Sequence, residues 1–190
     1  MNRFFISDLH LGHKNILTFK RDDGAPLRAF SDVDEMHAVM VDRWNAVVRD
    51  RDTVVVLGDV VIGRWGFQYL KAMRGRKILV KGNHDIFKLK DYAEHFEDIR
   101  AYDVKNGVIY SHVPVHPHSM GRFGINVHGH LHQRQVLVDE SDPSSIDPRY
   151  FNVSVERLNY TPIALEDLKK TVEARGGFWG FKNGNGPQVM

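Results

Sequence analysis

The fold is decided by a short stretch, residues 53–59, which reads TVVVLGD. A run of β-branched and apolar residues that ends at Gly58 predicts a strand buried on both faces. Upstream, residues 31–48 carry apolar side chains at spacings of three and four after a serine, which predicts an amphipathic helix. Helix and buried strand in succession indicate an α/β protein.

Strands and helices alternate in the first half of the chain, and strands follow one another in the second half. Further strands are predicted at residues 4–6, 77–80, 99–104, 108–111, 125–128, 136–138 and 150–155, and further helices at residues 67–73 and 164–174. This order predicts sheet structure that is parallel near the start and mixed later. We expect one domain over residues 1–175 and a Gly-rich tail, residues 176–190, that is mobile.

Composition narrows the possible functions. The chain has 190 residues, enough for one sizeable core, with 42% apolar and 26% charged residues. A net charge of +2 with interspersed signs gives no strong nucleic-acid signature, and no apolar run reaches the length of a membrane span. Without cysteine there is no thiolate metal site. We expect a cytoplasmic protein with no membrane partner, and the oligomeric state stays open.

Side chains that bind metals follow the ends of the predicted strands. They lie in five segments: D-L-H at residues 8–10, G-D at 58–59, G-N-H-D at 82–85, His112, and G-H-L-H at 129–132. Open α/β sheets place their sites at this edge. In D-L-H and H-L-H, the period of two directs both polar side chains to the same side. Each segment alone is common, but the ordered set favours a single site.

This ordered set resembles the calcineurin-like metallophosphoesterase superfamily over residues 8–132. The resemblance implies an α/β fold in which a two-sheet β-sandwich is flanked by helices, with a centre of two divalent metal ions. Residues 150–168 are similar to small bacterial and phage members, and the chain is too short for an added cap domain.

The resemblance also implies the residues of the centre. One ion would be held by Asp8, His10 and His132 and the other by Asn83, His112 and His130, with Asp59 bridging the two. Nitrogen and oxygen ligands do not select one metal, so we expect manganese first, with iron, zinc or nickel as alternatives.

The expected reaction is hydrolysis of a small, nucleotide-like phosphodiester. Two ions about 3.5–4 Å apart lower the pKa of a shared water, and the bridging hydroxide attacks phosphorus in line. The resemblance makes His84 the general acid. Asp85 either orients His84 or caps the next turn. We expect substrate contacts from His13, Asn15, Arg28 and Arg64.

Other functions of the same superfamily stay open. Its Ser/Thr phosphatases carry G-D-x-V-D-R-G, where this chain has Ile62 and Gly63 in place of the second aspartate and the arginine, which disfavours that class. A phosphomonoesterase or a nuclease of the superfamily are alternatives. A non-catalytic scaffold on this fold would lack ligands, and none is missing here.

Overall fold

The computed structural model describes residues 1–182. Its strands are β1 (Arg3–Ile6), β2 (Thr53–Val56), β3 (Arg76–Val80), β4 (Asp98–Arg100), β5 (Asp103–Lys105), β6 (Val108–Tyr110), β7 (Ile125–His128), β8 (Tyr150–Asn152) and β9 (Ile163–Ala164). Its α-helices are α1 (Val33–Val47), α2 (Phe67–Ala72), α3 (Leu89–Ala93) and α4 (Leu165–Ala174). In this range no helix is long and apolar enough to cross a membrane.

The strands form two mixed sheets. The first has the order β4-β3-β2-β1-β9, with β1 to β4 parallel and β9 antiparallel to β1. The second has the order β5-β6-β7-β8, with β6, β7 and β8 parallel and β5 antiparallel to β6. With helices beside the sheets, this confirms the predicted α/β fold of two sheets flanked by helices.

Alternate side chains of the buried stretch, residues 53–57, pack into two different hydrophobic cores. Val55 and Leu57 pack between the sheets with Phe5 of β1 and Val127 and Phe151 of the second sheet. The alternate residues of β1 and β2 pack against α1 in the other core; they are Phe4, Ile6, Val54 and Val56. The period of two in a strand therefore explains why every residue of β2 is buried.

Helix α1 begins one residue later than its serine signal predicts. Asp32, not Ser31, is the N-cap, and its carboxylate accepts a hydrogen bond from the Glu35 N–H at 2.8 Å. Met36, Met40 and Trp44, spaced by four, are its buried apolar face. The predicted helix is correct in type, with its end at Val47.

Three predicted strands differ from the structure. The strand predicted at residues 150–155 ends as β8 at Asn152. Residues 99–104 are split between β4 and β5, which belong to different sheets, so the chain changes sheet at residues 101–102. Residues 136–138 form only an isolated bridge from Leu137 to Ile146. The two-residue strand β9 was too short for its pattern to predict.

The described part of the C-terminal tail packs against the domain. The Gly124 N–H donates to the Gly180 carbonyl at 2.9 Å, and the Lys182 N–H donates to the Arg122 carbonyl at 2.7 Å. Trp179 packs against the core between the sheets. These contacts differ from the expected mobile tail for residues 176–182, and residues 183–190 lie outside the described residues.

Candidate metal centre

The carboxyl ends of strands from both sheets meet at one place. Two groups of side chains gather there, each with ligand atoms within 4.8 Å of one another: Asp8, His10 and His132, and Asp59, His112 and His130. These are six of the seven residues predicted as ligands.

Asp59 lies between the two groups. Its Oδ2 is 3.3 Å from His112 Nε2 and 3.7 Å from His10 Nε2, one histidine from each group. Its Oδ1 accepts a hydrogen bond from the His84 N–H at 2.8 Å. One carboxylate oxygen thus orders the neighbouring loop, and the other faces both groups.

Asn83, the seventh predicted ligand, adds an amide oxygen to the second group. Its Oδ1 is 2.8 Å from His112 Nε2. Asn83 is exposed, while Asp59 and His112 are buried. The amide therefore closes this group on its solvent side.

Buried polar atoms without partners indicate what the centre fits. Asp8 Oδ2 accepts hydrogen bonds from Ser7 Oγ at 2.6 Å, Ser154 Oγ at 2.8 Å and the His130 N–H at 2.9 Å. Asp8 Oδ1 and His10 Nε2 are buried and have no hydrogen-bond partner among the described residues. An unsatisfied buried polar atom costs about 1–3 kcal/mol. Two such atoms 4.0 Å apart, both of ligand type, fit a divalent cation.

Hydrogen bonds fix the tautomers of two histidines. His112 Nδ1 is 2.8 Å from the Leu57 carbonyl, which can only accept, so Nδ1 carries the proton. His132 Nδ1 is 3.0 Å from Glu156 Oε1, with the same consequence. Nε2 is then the nitrogen of each ring that a metal would bind, in place of a proton.

Burial and charge set the protonation of the centre in the absence of metal. Burial lowers the pKa of His10 well below its ordinary value, and the nearby Arg28 adds to this, so His10 is neutral and able to ligate. Burial raises the pKa of Asp8, against the opposing effect of His112 and His132. A cation beside Asp8 would favour its charged form.

Most of the predicted ligands have left-handed backbone conformation. Of the eight non-glycine residues with positive φ among residues 1–182, five belong to the centre: Asp8 (58°), His10 (51°), Asp59 (52°), His130 (70°) and His132 (52°). Such residues are uncommon and cluster at functional sites. Their backbones turn each side chain inward directly after a strand.

Glycines let the loops of the centre touch one another. A Cβ on Gly82 would lie 2.2 Å from Asp59 Oδ1, and one on Gly58, whose φ is +83°, would lie 2.6 Å from the Gly82 Cα. These glycines therefore make room for the neighbouring loop.

His84 and Asp85 point to different partners. The exposed ring of His84 lies at the opening, with its centroid 6.0 Å from that of His10. The buried carboxylate of Asp85 accepts from the N–H groups of Gly82 (2.8 Å), Asp59 (2.9 Å) and Val60 (2.9 Å). Of the two predicted roles, these bonds match a cap that ties two loops together. These bonds do not support the other predicted role, in which Asp85 orients His84.

The prediction that Arg28 contacts substrate is wrong. Its side chain is fully buried, and Nη2 is 2.7 Å from Glu156 Oε1 and 2.6 Å from the Asp8 carbonyl. Nη1 donates to the Leu9 carbonyl at 3.1 Å. Arg28 therefore supports the loop of Asp8 from behind and cannot reach a bound phosphate.

The other predicted substrate contacts are nearer to solvent. His13 is half-buried, with Nδ1 3.0 Å from His10 Nδ1. Arg64 is 65% exposed, pairs with Asp91 at 3.2 Å and lies over the Phe87 ring. Asn15 is exposed, and its carbonyl accepts from Thr18 Oγ1. His13 thus touches the centre, while no described contact links the side chains of Arg64 and Asn15 to it.

Sequence reasoning missed Glu156, Ser154 and His37. Ser154-Val155-Glu156 has the same polar–apolar–polar spacing as D-L-H, and this signal could have found the two partners of Asp8 and His132. His37 is fully buried, and its Nε2 accepts from the Gly12 N–H at 3.1 Å.

Comparison with known proteins agrees with this geometry. A family model described as calcineurin-like phosphoesterase matches residues 1–179. The uncharacterized protein MJ1445 of Methanocaldococcus jannaschii is 32% identical over 174 residues, which cover 90% of each chain. The gene 66 protein of Mycobacterium phage L5 is 36% identical over 89 residues, which cover 44% of this chain and 40% of that protein. The crystal structure of AQ665 from Aquifex aeolicus, a protein of unknown function, has the same fold, with a TM-score of 0.67 and 24% identity over 90% of this chain and 98% of that one.

Proposed function

Since the chain belongs to the calcineurin-like phosphoesterase family, we propose that it is a binuclear metal-dependent phosphodiesterase for a small, nucleotide-like diester. The proposal rests on the position of Asp59 Oδ2. This oxygen lies 3.3 Å from Nε2 of His112 in one ligand group and 3.7 Å from Nε2 of His10 in the other. A carboxylate oxygen in that position suits a bridge between two ions.

The chain offers a complete donor set for two ions. Asp8, His10 and His132 would hold one, Asn83, His112 and His130 the other, and Asp59 would lie between them. When bound, the ions supply a water of lowered pKa and positive charge for the phosphoryl oxygens. Two carboxylates offset only half of their four positive charges, so the centre attracts a phosphate anion. Manganese is the proposed metal, with iron, zinc or nickel as alternatives.

His84 is the proposed general acid. Its ring is exposed at the opening and can reach a substrate. The backbone N–H of His84 donates to Asp59 Oδ1, which fixes the loop that carries the ring. A protonated His84 donates its proton to the leaving oxygen as the P–O bond breaks. The His84 ring needs no metal bond for this role.

The distribution of arginine favours a diester over a monoester. A monoester dianion gains from a further cation at the phosphate, but Arg28 is buried behind the centre and Arg64 is paired with Asp91. The single charge of a diester needs no such contact. Hydrolysis of a monoester is the second candidate, because the ligand set does not distinguish the two.

The test compares metal content with turnover. Protein stripped with a chelator and reloaded with Mn, Fe, Zn or Ni is assayed on bis-p-nitrophenyl phosphate and p-nitrophenyl phosphate. We expect two ions per chain, a faster diester reaction, and a loss of at least about a hundredfold in Asp59→Asn. His84→Ala should keep both ions and lose most turnover. Protein with two ions and no turnover on any ester would overturn the proposal.

A further inference from the structure

A groove of about 490 Å³ opens beside the metal centre. His130 and His132, which the proposed function assigns to different ions, are both part of its lining. Small-molecule sites typically occupy about 300–1,000 Å³. An organic group attached to a phosphate at the centre can therefore extend directly into this groove.

Two chain segments form the walls. One is a hairpin over residues 19–27, in which the Leu27 N–H donates to the Phe19 carbonyl at 2.8 Å. The other is the loop over residues 130–134. Phe19, Leu27 and Leu131 give the groove an apolar surface.

An ion pair holds the two walls together. Both nitrogens of the Arg134 fork bind the two carboxylate oxygens of Asp22, with Nε 3.0 Å from Oδ2. Because both side chains are exposed, the pair adds little to stability. Its two-point geometry matches the spacing that hairpin and loop have in the structure.

Phe19 offers an exposed aromatic ring within this groove. It is 44% exposed, and its ring meets that of His13 edge-on with centroids 5.5 Å apart. His13 in turn contacts His10 of the centre at 3.0 Å. Stacking of a planar base on an exposed aromatic ring tolerates every base, because every base has a π-face.

Polar groups beside the ring suit a nucleoside more than a plain aryl group. Lys20 and Gln133 line the same groove, and Lys20 forms no ion pair with any residue of the described range. An ammonium and an amide can bond to sugar hydroxyls and to the base edge. We propose that this groove receives the nucleoside of the substrate, with Phe19 as its stacking platform and as the residue that sets preference for a diester with a base over a diester without one.

A larger groove of about 570 Å³ at Lys14, Trp65 and Tyr69 is the rival site. It also has an exposed aromatic ring, since Trp65 is 36% exposed. None of the predicted metal ligands lines it. The groove of Phe19, which His130 and His132 line, is therefore the better fit.

The inference rests on the proposed function and is tested with two diesters that share one leaving group. These are thymidine 5′-(p-nitrophenyl phosphate) and methyl p-nitrophenyl phosphate, assayed with the metal-loaded protein. We expect kcat/KM for the thymidine ester to exceed that for the methyl ester by about tenfold. Phe19→Ala should bring the ratio close to one, whereas Phe19→Tyr should keep it. Tyr102→Ala, which removes an exposed ring that does not line the groove, is the control and should leave the ratio unchanged.

A second measurement separates failure of the inference from failure of the proposed function. Thymidine 5′-monophosphate is titrated calorimetrically into metal-loaded wild type, Phe19→Ala and Trp65→Ala. If Phe19→Ala is the only variant that binds thymidine 5′-monophosphate about tenfold more weakly, the result supports the groove as the nucleoside site. This holds even if neither ester is hydrolysed, because absence of hydrolysis counts only against the proposed phosphodiesterase activity. An unchanged ester ratio and affinity in Phe19→Ala, or a loss confined to Trp65→Ala, overturns the inference.

Discussion

Glu156 holds the imidazole of His132 through a contact of 3.0 Å between Oε1 and Nδ1, and the same oxygen binds Arg28 at 2.7 Å. Burial opposes the charge on Glu156, but Arg28 and His132 together keep its pKa below the ordinary value. A buried carboxylate thus sets which nitrogen of His132 faces the metal centre. Partners of this kind orient the ligand and raise its basicity.

Replacement of Glu156 by glutamine should weaken metal binding. The amide oxygen can still accept from His132 and Arg28, but the amide lacks the negative charge that raises the basicity of His132, and its N–H₂ takes the buried place of Oε2, which has no hydrogen-bond partner among the described residues. We therefore expect affinity to fall about 10–100-fold. Competition with a fluorescent chelator measures this. Glu173→Gln, an exposed glutamate on α4, is the matched control. Equal affinity in wild type and Glu156→Gln would contradict the role given to Glu156.

Asp85→Asn should lower stability more than it changes the chemistry. The carboxylate accepts three backbone N–H groups, and an amide would turn a donor toward at least one of them. We expect the free energy of unfolding in urea to fall by about 1–3 kcal/mol. Asp50→Asn, an exposed change, should cost nothing measurable. If stability held while the pH profile of turnover moved, Asp85 would be acting on His84 after all.

His37 should make stability depend on pH in the acid range. Burial lowers the pKa of His37 from 6.5 to about 4, and its Nε2 must stay unprotonated to accept from the Gly12 N–H. The folded chain therefore binds fewer protons than the unfolded chain between these values, so stability is present above pH 6.5 and falls as pH drops toward 4. His37→Gln keeps an acceptor and removes the titration.

Between pH 7 and pH 4.5, the free energy of unfolding of wild type should fall relative to that of His37→Gln by on the order of 2 kcal/mol. Urea unfolding at the two pH values measures it, and the difference between the two proteins cancels the other histidines. Parallel pH curves for the two proteins would show that His37 does not titrate in this way.

Removal of metal should lower the midpoint of thermal unfolding. Asp8 Oδ1 and His10 Nε2 are buried without partners among the described residues, and an ion bound to the folded chain would give them one. Free metal at a hundred times its Kd adds about 2.7 kcal/mol. Scanning calorimetry with chelator and with Mn should show the shift in wild type and a smaller one in Asp59→Asn. An equal midpoint with and without metal would argue against a centre in these residues.

Local patterns predicted the parts of this molecule that depend on local geometry. Strands and their ends follow from apolar runs. Asp8 and His10 do meet in one group, as predicted, but through left-handed backbone conformations and not through the period of two of a strand. The pairing of groups behind the centre does not follow from local geometry: Arg28 and Glu156 are 128 positions apart, and two of the three N–H partners of Asp85 are 25 and 26 positions away. The neighbouring residues in the sequence do not distinguish a buried arginine or loop aspartate from an exposed one. Only the packing of the two sheets determines which of these side chains is buried.

The left-handed backbone conformation of five predicted metal ligands affects which substitutions the site would accept if its activity were no longer selected. Each of the five residues carries a backbone conformation that costs an L-residue roughly 1–2 kcal/mol and glycine almost nothing. Exchange of such a ligand for glycine eases the backbone while it removes the chemistry. If selection for hydrolysis were relaxed, His10 and His130 would be the ligands that the domain loses with least penalty, whereas Asp8 and Asp59 would be kept longer because their carboxylates also accept hydrogen bonds from neighbouring loops.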